Sequence, residues 1–90
     1  MSKLIKTTGK IIEVSPANGS DYTLEELKEY IGGGYIEYVS LPGDKALICD
    51  EEGKLKNLPV NSVASYEYGR YLFGDIICGD VVIINKNELK

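Results

Sequence analysis

Histidine and tryptophan are missing from this chain, and arginine, phenylalanine and methionine occur once each. Without histidine the chain lacks the commonest general base at neutral pH and the commonest zinc ligand. A serine or cysteine nucleophile has no imidazole to activate it, and no lysine adjoins Cys49 or Cys78. Zinc held by those two cysteines would need two further carboxylates in an unusual spacing. Positive charge is also short. Ten Lys and Arg against fourteen Asp and Glu leave a net charge of −4, which argues against nonspecific nucleic-acid binding through clustered basic residues. No hydrophobic run approaches a membrane span, and MSKLIKTTGK lacks the apolar stretch of a signal peptide. The expectation is a cytoplasmic protein with buried, unpaired thiols and no catalytic set, metal, cofactor or membrane partner.

What is present is a globular composition in 90 residues, enough for one domain over 1–90 with a core from about residue 7 to 85 and flexible termini. The chain is organised around GYIEYVSLPGDKALICDEEGKLKNLPVN, residues 34–61. Aromatic and β-branched residues at 35–41 predict a strand. Pro42 and Gly43 suit the two central positions of a type II turn, 45–50 forms a second strand, and 54–58 a third after a turn closed by a left-handed Gly53. That register puts Ile36, Tyr38, Leu47, Cys49 and Leu55 on a core face. Glu37, Val39, Ala46, Ile48, Asp50, Lys54 and Lys56 fall on a wetter one. An odd-length turn after Leu41 would swap the faces of the first strand.

Before this stretch, 7–14 reads as a strand and 15–21 as a plain connector without phosphate-loop spacing. Thr23 and Glu26 have capping-box spacing, Tyr22 and Leu27 staple spacing, and Leu24, Leu27, Tyr30 and Ile31 share a helical face ended by Gly32-Gly33-Gly34. Glu25, Glu26 and Glu29 form a solvated helix face. After the stretch, Asn61 is an N-cap for a helix over 62–68 stopped by Gly69, and DIICGDVVIIN ends in a buried strand from Val81. The order β-α-β-β-β-α-β makes an α+β domain with a largely antiparallel sheet and two short helices.

Acidic clusters offer little chemistry. Asp50-Glu51-Glu52 lacks the ligand alternation of a calcium loop and reads as a turn. A magnesium-dependent enzyme would need Asp50, Asp75 or Asp80 to converge. The seven tyrosines exceed what so small a core can hold, and tyrosine is enriched at partner contacts. The first functional expectation is a non-catalytic protein-interaction module, binding another protein or itself through Tyr35, Glu37, Val39, Ile48 and Lys56. The rival is a small-molecule, nucleotide-like binding or sequestering protein, with Tyr66 stacking on a base and Asn61 or Arg70 hydrogen-bonding.

Gly34 to Glu37, Glu52-Gly53-Lys54, Leu58-Pro59-x-Asn61 followed by Ala64, and Gly79-Asp80 together carry a resemblance. The chain resembles a family of small uncharacterised proteins of bacteriophages, plasmids and Firmicute-type bacteria, catalogued as a domain of unknown function. The likeness covers about residues 9–84. It implies an intracellular accessory protein of a mobile element, without a recognised catalytic set, and the interaction module expected above would then modulate a host factor. Asp50 stands where asparagine is expected, and residues 66–71 differ from the usual stretch.

Overall fold

The computed structural model describes residues 2–53, 55–71 and 76–89. Lys54 and Asp75, invoked above, lie outside them. Among the described residues, five strands form one antiparallel sheet: β1 (Ser2–Ile5), β2 (Ile11–Val14), β3 (Ile36–Leu41), β4 (Lys45–Asp50) and β5 (Val81–Asn85). Their order across the sheet is β2-β1-β5-β4-β3. Two short helices, α1 (Leu24–Tyr30) and α2 (Ser62–Tyr68), complete the α+β fold expected from the sequence.

Two strands are placed differently from the expectation. Residues 7–9 do not extend β2. Gly9 N–H donates to Lys6 O at 2.9 Å and Lys6 N–H to Lys10 O at 2.9 Å, closing a hairpin that makes Ser2–Ile5 a strand of its own. Residues 55–57 form a turn instead of a strand. Lys56 N–H donates to Glu52 O at 3.0 Å and Leu58 N–H to Gly53 O at 3.1 Å, local bonds that take the donors a ladder would use. Leu55, expected in the core, is 82% exposed. The left-handed residue of this turn is Asn57, with φ 55°, and not Gly53. Gly53 is needed for another reason: a Cβ there would come within 2.7 Å of the Cys78 carbonyl oxygen.

The helix ends follow their local signals. Thr23 and Glu26 make the reciprocal capping box, with Thr23 N–H to Glu26 Oε1 at 3.1 Å and Glu26 N–H to Thr23 Oγ1 at 3.2 Å. Gly32 N–H reaches Glu29 O at 3.2 Å and Gly33 N–H reaches Lys28 O at 2.7 Å, the bond pair of a Schellman stop. Tyr22 and Leu27 are both buried in one cluster, as a staple requires. Leu24, expected on the inner face, is 50% exposed. Gly69 does not halt α2 in the left-handed region; its φ is −56° and the chain runs on as a 3-10 turn through Tyr71.

The helices lie on opposite faces of the sheet. Leu27 of α1 packs with Leu4, Ala46, Ile48, Val82 and Ile84. Ala64 of α2 packs with Ile5, Leu41, Leu47, Cys49, Val81 and Ile83. Central strands covered on both sides carry unbroken apolar runs, here ALIC and VVII. The wetter face expected for β4 therefore does not exist: residues 46–50 are all buried.

Candidate interaction surface

The loop from β3 to β4 has three residues, because Leu41 pairs with Lys45. Asp44, at φ 59°, adds the third position to the expected Pro42-Gly43 turn. This odd length rotates β3 by one face relative to β4. Ile36, Tyr38 and Ser40 now pair with Asp50, Ile48 and Ala46 on the α1 side, while Glu37, Val39 and Leu41 pair with Cys49, Leu47 and Lys45 on the α2 side. Tyr38, expected in the core, is 44% exposed.

β3 is also an edge strand. Glu51 N–H donates to Tyr35 O at 3.0 Å, so residues 35 and 51 form a hydrogen-bonded pair. Alternation along an antiparallel ladder then turns the N–H and C=O groups of Ile36, Tyr38 and Ser40 away from β4. Among the described residues no strand or side chain meets them. Natural edges are usually blunted by lysine, proline, a bulge or brevity. The six residues of β3 contain neither lysine nor proline, and their one charge, Glu37, sits at a position whose backbone faces inward. The opposite edge, β2, has four residues and carries Glu13.

Of the five residues expected at a partner surface, Tyr35, Glu37 and Val39 share one side of β3; Tyr35 is 68% exposed, Glu37 is exposed and Val39 half-buried. Ile48 must be removed from the set: it is 0% exposed and lies beneath α1, because α1 covers the face that the expected register left wet. Lys56 is exposed, but its ammonium is held by Asp50 Oδ2 at 2.9 Å beside Gly34. That bond is also the main reason its pKa is raised. Asp50 is 7% exposed, and its other oxygen accepts the Glu52 N–H at 2.8 Å.

Of the three residues expected to hold a ligand, Asn61 is not open to one. Asn61 is 0% exposed. Its Oδ1 accepts the Ala64 N–H at 3.1 Å, and its Nδ2 donates to Ile5 O at 2.9 Å and Gly79 O at 3.0 Å. The amide is thereby committed to joining the start of α2, the end of β1 and the bend before β5. Tyr66 is 92% exposed, and the Arg70 guanidinium lies 5.1 Å from the Tyr71 ring. Residues that carried the family resemblance meet at the same junction: Gly79 N–H donates to Pro59 O at 2.8 Å, and a Cβ on Gly79 would lie 2.9 Å from Leu58 Cδ1. Asp80 accepts the Thr7 N–H at 2.9 Å and pairs with Lys6 at 3.5 Å. These motifs hold the fold together.

Burial, with the nearby Glu37 carboxylate, pushes the Cys49 thiol up to about 12, far from a nucleophilic thiolate. Among the described residues no three His, Cys, Asp or Glu side chains are grouped to hold a metal. Open grooves among the described residues include one of about 470 Å3 lined by Asp44, Asn85, Lys86 and Asn87, and another of about 380 Å3 lined by Ser2, Lys3, Ile11 and Glu13. Neither contains a residue singled out from the sequence for a site. Among the described residues no helix is long and apolar enough to cross a membrane.

Comparison with curated proteins and with solved structures finds no match. A family profile matches residues 1–89, nearly the whole chain, and its description is "Domain of unknown function (DUF3846)". An uncharacterised domain family was expected, and the chain belongs to one, the DUF3846 family.

Proposed function

We propose that this protein is a non-catalytic interaction module that receives a strand from a partner along β3. The observation that supports it is the unblunted edge: outward-facing backbone groups at Ile36, Tyr38 and Ser40, flanked by exposed Tyr35 and Tyr38. A strand added there gains main-chain hydrogen bonds, and alternate side-chain positions on both faces supply selectivity. Tyr35, Glu37 and Val39 would line one side of the added strand and Tyr38 the other. A cytoplasmic setting and the mobile-element role implied by the family resemblance belong to the same proposal.

The test is site-specific photo-crosslinking in cells that express the protein. A photoreactive residue at Glu37 or Ser40 should give protein adducts in clear excess over the same residue at Lys10 or Glu25, which are exposed away from β3. Equal or absent adduct formation at the β3 positions would remove the proposal.

A further inference from the structure

Resting on that reading, we infer that the partner strand is β3 of a second copy, the two strands running antiparallel about a twofold axis through Tyr38. The outward groups of β3 belong to residues spaced symmetrically around Tyr38. Centring the axis there sets Ile36 against the partner's Ser40, Tyr38 against the partner's Tyr38, and Ser40 against the partner's Ile36. Every outward N–H then meets an outward C=O, with none left over on either strand. The two five-stranded sheets become one of ten strands, and the β3 edge disappears, leaving β2 at either rim.

The side chains agree with this register. On the α1 side the two Tyr38 rings, each 44% exposed in the single chain, become directly opposed cross-strand neighbours. On the other side Glu37 faces the partner's Val39, and Tyr35, 68% exposed, faces the partner's Leu41. No like charges stand directly opposite; the two Glu37 carboxylates are diagonal neighbours. The same operation on β2 gains less. Lys6 pairs with Lys10 through a hydrogen bond, so the outward positions of β2 are Ile11 and Glu13. A twofold centred on Glu13 would set two carboxylates face to face, and cross-strand like charges are destabilising; one centred on Ile12 avoids that but joins only two outward positions per strand, against three on β3. Joining β3 to the β2 edge of another copy would be heterologous and leave one unblunted β3 edge open to further copies. The β3 pair closes on itself with the longer ladder and leaves only the short β2 strands at the rims.

Sedimentation across micromolar to millimolar concentrations tests this on the intact chain and two variants. The wild type should approach twice its 9.9 kDa mass as concentration rises. Tyr38→Lys leaves the backbone unchanged and opposes two ammonium groups across the axis. Ser40→Pro removes an outward donor that the chain does not use internally, a position where an edge strand tolerates proline. Each should weaken association by about tenfold or more, with far-UV circular dichroism and the Tm of the dilute, monomeric protein unchanged. Glu13→Lys, on the other edge, should leave association as it is. Should a β3 variant fail to fold, hydrogen exchange in the wild type decides instead: amides of Ile36, Tyr38 and Ser40 must slow with rising concentration while that of Glu13 does not. A wild type that stays monomeric to millimolar concentration overturns the inference, as does undiminished association of folded Tyr38→Lys. If that monomer still forms β3 adducts with other proteins in cells, the interaction reading stands and only self-pairing falls.

Discussion

At the scale of single residues, Asn61 shows how much one side chain can hold. Its cap to Ala64 is local, but Ile5 is 56 positions away and Gly79 is 18. Removing the amide uncaps α2 and leaves two buried carbonyls without donors. Asn61→Ala should therefore cost about 3 kcal/mol, from roughly 1 for the cap and 1 or more for each stranded acceptor. Asn61→Asp keeps the acceptor for Ala64 but sets a carboxylate against two carbonyl oxygens, and should be at least as damaging. Urea denaturation measures both. An alanine variant within about 0.5 kcal/mol of wild type would mean the junction does not depend on this amide. The sequence marks Asn61 as a helix cap because capping is a relation between near neighbours. Its other two bonds arise only when β1 and the Gly79 bend are brought alongside, so no pattern within a short window could reveal them.

At the scale of elements, α1 was almost wholly legible. Its capping box, staple and glycine stop are all encoded within about a dozen residues. The capping carboxylate also makes the helix sensitive to acid. Hydrogen bonds from the Ala17 and Thr23 N–H groups hold Glu26 below its ordinary value of 4.5. Glu88 is lowered as well: burial acts upward on it, but the Ser2 hydroxyl at 2.6 Å and the Asn85 N–H at 3.0 Å outweigh that. A carboxyl lowered on folding binds protons more readily in the unfolded chain. Its stabilisation is complete above the unfolded pKa and is lost as pH falls through the folded value. Tm should accordingly drop as pH is lowered from about 5, where the unfolded carboxyls begin to bind protons, and Glu26→Gln should flatten that part of the profile. An unchanged slope in the variant would show that Glu26 does not supply the dependence. The strands were less legible. Residues 55–58 resemble a third strand in composition, yet their bonds are local. The three-residue loop at 42–44 turned Tyr38 outward against the expected register. Loop length in a hairpin fixes which face a side chain takes, and one residue reverses it.

At the scale of the whole molecule, helices on both faces make the middle of the sheet a core in both directions. Ile48→Asp, a natural choice for probing a wet sheet face, places a carboxylate among Leu27, Val82 and Ile84. The loss of packing and the burial of an unpaired charge should together cost about 4 kcal/mol or more. That is a large share of the roughly 5–15 kcal/mol by which ordinary domains are stable. Circular dichroism should show a substantially unfolded chain or a Tm lowered by well over ten degrees. A folded variant of near-native Tm would place Ile48 outside the core.

The sequence by itself determined the α+β class, both helix starts and the lack of any histidine side chain. Each of these follows from composition or from residues a few positions apart. Tertiary structure alone decided that α1 and α2 sit on opposite faces, that Ser2–Ile5 slots between β2 and β5, and that β3 is left at the rim. Those outcomes depend on which distant segments pair. Whether a backbone N–H is satisfied or left open at an edge is a property of that pairing, and local sequence does not carry it.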